Sequence, residues 1–195
     1  MEIAPWLRTF SHAVVKPTAR LFLGMTCKGL ENVPERGPLL LAGNHVSNMD
    51  GPLVAVAADA RRYVRGIGKA SLFKIPILGW YLKNAGSVPL ERTGDVAAMR
   101  WAIDLIARGG CLLVFPEGTR SKDGKRGPAK AGLGFLAAST GAPVVPVRVI
   151  NTGFPPTKLP VEIRFGEPLR YGGDPGDRAA CKAFGESVLD SVFKL

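Results

Sequence analysis

Three short apolar runs constrain what this chain can fold into. They are Leu39-Leu40-Leu41-Ala42 (after Pro38), Cys111-Leu112-Leu113-Val114-Phe115 and Val144-Val145-Pro146-Val147-Arg148-Val149-Ile150. Each is too short for a buried helix and apolar at nearly every position, which is the pattern of a strand covered on both faces. Helical patterns separate them. The clearest spans Asp95 to Arg108, where Met99, Ala102, Ile103 and Ile106 form one apolar stripe and Gly109 stands at the C-cap position. Strands alternating with helices predict an α/β fold, a single domain with a mainly parallel or mixed sheet covered by helices. A length of 195 residues fits one such domain.

The remaining segments follow from local signals. Gly51 to about Asp59 reads as a helix and Arg61–Ile67 as a second strand. Asn32–Pro38 is a turn by composition. Val161–Phe165 alternates as a strand does, and Pro146 implies an edge position or an irregularity in its own strand. Asp174 as N-cap with Pro175 at N1 predicts a last helix reaching Lys194. Arg100, Asp104 and Arg108 are four apart and form a solvated face. Lys69–Tyr81 mixes lysines with Leu72, Phe73, Ile75, Ile77, Leu78 and Trp80 around Pro76. It fits an apolar channel wall, a lipid-dipping segment or a kinked core helix. Residues 1–26 form an amphipathic region broken near Pro17, with Trp6, Leu7, Phe10, Val14, Leu21, Phe22 and Leu23 opposed to Arg8, Lys16 and Arg20. A helix lying in a lipid interface has this layout, and so has a helix packed on its own domain. His12 falls here without a carboxylate nearby in sequence. The expected organisation is an N-terminal membrane-associating region over 1–26 and one domain over 27–195.

Two turns carry the chemistry-bearing residues. The first, Asn44-His45-Val46-Ser47-Asn48-Met49-Asp50, joins the Leu39 strand to the following helix. With His45 on the turn and Asp50 in the first helical turn, a base and its orienter can meet. The competing explanation is local: Ser47 as N-cap with Asp50 at N3 resembles a capping box. The second turn, Glu117-Gly118-Thr119-Arg120, follows the Cys111 strand. Functional loops of open α/β sheets gather at the carboxyl ends of parallel strands, so both turns should face one crevice. There Gly118 permits close backbone approach, Arg120 offers a planar fork for phosphate, and Glu117 can accept from a hydroxyl. Arg92 and Lys130, also on loops, add positive charge, as does the run Lys122, Lys125 and Arg126.

A formal charge of +10 implies an anionic partner. Because 46% of residues are hydrophobic as well, an anionic membrane surface fits better than nucleic acid. No uncharged apolar run reaches the roughly 18 residues of a membrane span, and the N-terminus lacks the long apolar core of a secretory leader. Three widely spaced cysteines suggest a reducing compartment, and no Cys/His cluster suggests a metal.

The two turns also carry a resemblance. Asn44 to Asp50 is similar to the NHxSxxD motif of the glycerolipid acyltransferases, and Phe115-Pro116-Glu117-Gly118-Thr119-Arg120-Ser121 matches their FPEGTRS motif residue for residue. Leu90-Glu91-Arg92 resembles the end of the second motif and Val145-Pro146-Val147 the fourth, with Lys69, Leu72-Phe73, Pro76 and Gly79-Trp80 falling between motifs one and two. The resemblance covers roughly residues 25–170 and is strongest to bacterial 1-acylglycerol-3-phosphate acyltransferases. It implies a glycerol-3-phosphate acyltransferase-like fold and acyl transfer from acyl-CoA or acyl carrier protein to a lysophospholipid hydroxyl, giving phosphatidic acid. It implies His45 as general base with Asp50 orienting it, and Arg92, Glu117, Gly118 and Arg120 on the acceptor; Thr119 and Lys130 are taken with them as candidate substrate-binding residues. It implies neither metal nor cofactor, no nucleic-acid partner, and a peripheral or monotopic place on the cytoplasmic face of the cell membrane. The chain is short for the family, and Pro89 is expected to alter the strand before Arg92. Other expectations stay open: a different acceptor (another lysophospholipid, glycerol 3-phosphate, an ornithine-type lipid), or a non-catalytic basic module for anionic lipid or nucleic acid.

Overall fold

A computed structural model describes residue 13 and residues 16–91, 96–121, 123–153 and 159–195. Its described strands form one sheet in the order β1-β7-β6-β2-β5-β3-β4. They are β1 (Thr26–Lys28), β2 (Leu39–Gly43), β3 (Val64–Lys69), β4 (Val88–Leu90), β5 (Cys111–Val114), β6 (Val144–Ile150) and β7 (Glu162–Phe165). β6, β2, β5, β3 and β4 run parallel. β7 pairs antiparallel with β6, and β1 parallel with β7, so these two run the other way. The sheet is therefore mixed, with a parallel centre.

The apolar run of β2 is explained by its place. It lies between β5 and β6, and every one of its residues is buried. Leu39 and Leu41 face a core shared with α2 (Asp50–Ala58), which contributes Leu53, Val54 and Val56. Leu40 and Ala42 face a second core with Ala102 and Ile106 of α4 (Val96–Ala107), Leu133 and Leu136 of α5 (Gly132–Thr140) and Val188 of α6 (Arg178–Lys194). Alternate residues feeding two cores is the period-two geometry of a doubly covered strand.

Element ends follow local chemistry. Gly109, at φ +79°, donates to the Ile106 carbonyl and Gly110 donates to Leu105, which closes α4 in a Schellman motif as the C-cap glycine predicted. Three expectations shift. The strand expected from Arg61 begins at Val64, because Arg62 is buried and its guanidinium holds the Gly37 and Gly109 carbonyls, each at 2.7 Å. Pro146 lies in an inner strand. Its carbonyl accepts from Gly166 on the β7 side, so its missing N–H faces the gap between the Val147↔Phe165 pair and the isolated Val144↔Leu169 bridge. It marks an irregularity, not an edge. The last helix starts at Arg178 with Asp177 as N-cap, its carboxylate accepting from Ala180 N–H at 2.9 Å. Asp174 instead accepts from Gly176 in a turn of its own.

Residues 1–12, 14 and 15 lie outside the described residues, and with them Trp6, Leu7, Phe10, His12 and Val14 of the expected amphipathic region. Its described part is α1 (Lys16–Leu23). Pro17 stands in the first turn of α1, where a missing N–H costs nothing. Ala19 and Met25 are buried in the α2-side core, while Leu21 is 79% and Phe22 71% exposed. β1 starts at Thr26, on the near side of the expected 26/27 boundary. The Lys69–Tyr81 segment forms a 3-10 turn (Ala70–Lys74) and then α3 (Pro76–Asn84), with Ile75 and Trp80 on the surface. A Cβ on Gly79 would lie 2.2 Å from the Phe73 carbonyl, so this tight join requires glycine. Among the described residues no helix is long and apolar enough to cross a membrane.

Candidate active site

The parallel strands β2 and β5 end side by side while β6 runs on past them to Ile150, and the two chemistry-bearing turns leave from the ends of β2 and β5. Asn44 caps the junction. Its amide donates to the Val149 carbonyl at 3.1 Å and accepts from Val149 N–H at 2.8 Å, so a side chain extends the β2–β6 ladder by one rung. The next residue, His45, leaves the sheet.

His45 Nδ1 lies 2.7 Å from Asp50 Oδ2. The same oxygen accepts from Val46 N–H at 2.7 Å and Ser47 N–H at 2.8 Å, and Asp50 Oδ1 accepts from the Thr152 hydroxyl. Four donors thus converge on this one carboxylate, three of them on Oδ2. An oxygen already accepting from two amides must also accept from the ring, so Nδ1 carries the hydrogen, and in the neutral ring the lone pair is on Nε2. Asp50 is fully buried and the His45 side chain 20% exposed. Phe115 stacks on the imidazole at 4.0 Å between centroids and 12° between planes. The ring is thus fixed in tautomer and orientation, and Nε2 has no partner among the described residues.

The capping explanation holds in a modified form. Asp50 reaches back to Ser47 N–H as a capping-box acid does, but Ser47 Oγ accepts from Met49 N–H at 3.1 Å, not from Asp50. One carboxylate serves both the helix start and the imidazole.

The second turn grips the first. Ser121 N–H donates to the His45 carbonyl at 2.7 Å, and His45 N–H donates to Glu117 Oε2 at 3.0 Å. Glu117 Oε1 accepts from Gly127 N–H at 2.8 Å. Glu117 is only 5% exposed. Expected as an acceptor contact, it is turned inward, and its carboxylate ties the histidine turn to the basic loop. Arg148 lies nearby over the Phe193 ring, 4.0 Å from its centroid. Burial pulls its pKa below the usual arginine range, and the charge of Glu117 acts against that shift.

Gly118, Thr119 and Arg120 are exposed on the outer side of this turn. Gly118 has φ +65°, and a Cβ there would lie 2.8 Å from Lys130 Nζ. The Lys130 side chain therefore lies across the glycine, with its own N–H on the Pro116 carbonyl at 2.8 Å. Arg120 and Lys130 have no acidic partner among the described residues. Lys125 is 3.7 Å from Asp123, and Arg126 is paired with Glu186 and Asp190. Arg92 and Lys122 lie outside the described residues; β4 ends just before, with Pro89 opposite Gly68 on the sheet's edge.

Two serine hydroxyls near the site are engaged. Ser47 is buried with its Oγ accepting from Met49 N–H, and Ser121 Oγ donates to Asp123 at 3.0 Å. Cys111 opens β5, at the far end of that strand from both turns, and burial pushes its thiol up to about 12. Among the described residues no cluster of His, Cys, Asp and Glu fits a metal ion. Sequence reasoning missed Thr152 and the tasks of Asn44 and Phe115. Phe115 stood in the matched motif without a role, and nothing local marks Thr152, 102 residues from Asp50.

Comparison with known proteins agrees with this geometry. A family model described as Acyltransferase matches residues 24–150. The chloroplastic 1-acyl-sn-glycerol-3-phosphate acyltransferase BAT2 of Brassica napus is 36% identical over 154 residues, 75% of this chain and 44% of its own length. A 1-acyl-sn-glycerol-3-phosphate acyltransferase of Borreliella burgdorferi is 33% identical over 64% of this chain and 50% of its own. The crystal structure of the 1-acyl-sn-glycerophosphate (LPA) acyltransferase PlsC from Thermotoga maritima is similar, with a TM-score of 0.71 and 30% identity over 97% of this chain and 78% of that one. The chain spans about half the length of the curated relatives it matches.

Proposed function

The chain belongs to the acyltransferase family, and from that premise we propose that it transfers a fatty acyl group from a thioester to the free hydroxyl of 1-acylglycerol 3-phosphate, forming phosphatidic acid. The observation that carries the reading is the fixed imidazole: His45 is held by Asp50, Phe115 and both of its own backbone groups, with Nε2 left free.

In the proposed reaction Nε2 takes the proton as the acceptor oxygen attacks the thioester carbonyl. Asp50 stabilises the imidazolium that forms. The C–S bond then breaks, and the imidazolium returns its proton to the departing thiolate. No acyl-enzyme is needed, in keeping with the hydrogen-bonded hydroxyls of Ser47 and Ser121. The tetrahedral oxyanion needs donors. The amides of His45, Val46 and Ser47 are bound to carboxylates, which directs attention to the Gly118–Arg120 side of the crevice. Arg120, Lys130 and Arg92 would hold the acceptor's phosphate, with Gly118 and Thr119 letting it approach the backbone. A base and a thioester leaving group suffice for this reaction, so it calls for no cofactor. The donor is acyl-CoA or acyl carrier protein, and the working place is the cytoplasmic face of an anionic membrane, held peripherally.

Thiol release from acyl-CoA or acyl carrier protein, measured with 1-acylglycerol 3-phosphate, glycerol 3-phosphate and other lysolipids, tests the reading. His45→Ala should lower kcat by roughly a thousandfold or more. Arg120→Ala and Lys130→Ala should raise KM for the acceptor more than for the donor. Undiminished activity in His45→Ala, or a donor-only effect of the two cations, would overturn it.

A further inference from the structure

We propose that Glu186, on α6 and outside the matched family region, is a positioning residue for Lys130, and through it for the acceptor's phosphate. The proposal rests on the reading of Lys130 as an acceptor contact given above.

Glu186 Oε1 accepts from Ala129 N–H at 2.9 Å. Its other oxygen binds Arg126 Nη2 at 2.6 Å, and the same nitrogen reaches the Glu186 carbonyl at 3.1 Å and Asp190 Oδ1 at 3.1 Å. One carboxylate thus pins the loop at 126 and again at 129, directly before Lys130. Between these points Gly127 is held from the other side by Glu117. The helix backbone itself presses on the loop. A Cβ added at Gly185 would lie 3.1 Å from Ala129 Cβ and 3.2 Å from the Lys130 carbonyl. Lys130 is consequently fixed by the residues before it and by its own N–H on the Pro116 carbonyl, and its ammonium is delivered over Gly118 of the turn that binds His45.

The charges sort the same way. Arg126 is matched by Glu186 and Asp190, and Lys125 lies near Asp123. Of the described cations in this loop, Lys130 alone is left without an acid, which suits it to an incoming phosphate. Holding a lysine's backbone in advance reduces the ordering cost charged to binding. The effect of losing the clamp should therefore fall on the acceptor.

The test is a kinetic cycle with 1-acylglycerol 3-phosphate as acceptor, using the full chain. Glu186→Ala should raise the acceptor KM about fivefold to tenfold with little change in kcat or donor KM. In a Lys130→Ala background the same substitution should leave the acceptor KM unchanged, since the group it positions is gone. Glu186→Gln keeps an oxygen for Ala129 N–H and loses the charge on Arg126; it should give a smaller rise, and it carries the test if Glu186→Ala folds poorly. A loss of kcat alone, in proportion to unfolded protein, would reduce Glu186 to a structural part. An equal KM rise in both backgrounds would show that it acts without Lys130. Lys130→Ala with an unaltered acceptor KM would instead remove the reading of Lys130, and this proposal with it.

Discussion

Glu117 shows how far a residue's type can mislead about its task. An acidic side chain between Phe115 and Arg120 invites a role on the acceptor's hydroxyl, yet its two oxygens hold backbone amides of His45 and Gly127. Glu117→Gln is the informative substitution. An amide has one accepting oxygen, so one backbone N–H would face an NH2 group. The expected cost is about 1–3 kcal/mol in unfolding free energy. Both kcat and acceptor KM should worsen, because His45 and the basic loop lose one common anchor. A denaturant titration alongside steady-state kinetics checks this; unchanged stability with a change in acceptor KM alone would return Glu117 to the acceptor. The His45–Asp50 pair was legible because its two members lie only five positions apart in sequence. Thr152 and Val149 were not, being 102 and 105 residues from the side chains they bind. What is local in sequence could be read, and what β6 brings back across the sheet could not.

At the scale of elements, periodicity located strands and helices well, and their ends only where a backbone conformation forces the choice. Gly109 terminates α4 because its left-handed φ favours glycine. At the start of α6 the sequence Asp174-Pro175-Gly176-Asp177 contains two capping residues, and the proline-at-N1 rule selects the wrong one. Pro175 and Gly176 belong to the turn that Asp174 closes, and the helix is capped by Asp177. Asp177→Ala should therefore cost about 1 kcal/mol of stability. Asp174→Ala should cost less, since it removes only an exposed turn contact. Thermal or denaturant unfolding of the two variants decides it, and the reverse order would restore the earlier cap. Pro146 carries the same lesson: composition signalled an irregularity, and only the change of partner along β6 says which kind.

For the whole molecule, strand direction determines what surrounds the site. β1 runs against β2, so α1 joins the sheet at the end where β2 finishes. The 3-10 turn and α3 follow β3 at that end, α4 follows β4 there, and Leu159 lies between β6 and β7 there. Among the described residues the exposed large hydrophobics are Leu21, Phe22, Ile75, Trp80, Val96 and Leu159, and all stand on these segments. Lys16, Arg20 and Lys74 stand on them too, and Arg120, Lys125 and Lys130 are on the stretch that leaves β5 at the same end. Charge and hydropathy totals pointed to a lipid surface; the topology adds which end would face it, and strand order is not written in composition. An anionic bilayer at the His45 end would present a lipid acceptor without carrying its chains through water. Each basic residue near such a surface contributes on the order of 1 kcal/mol, screened within about 8–10 Å at physiological salt. Co-sedimentation should accordingly show binding to vesicles with anionic phospholipid, weaker binding to purely zwitterionic ones, and loss as salt rises. Replacing Leu21 and Phe22 together by serine should weaken binding by about tenfold or more, from the lost burial of two large side chains. Equal binding to both vesicle types, unmoved by salt and by the double substitution, would refute this orientation while leaving the chemistry of His45 untouched.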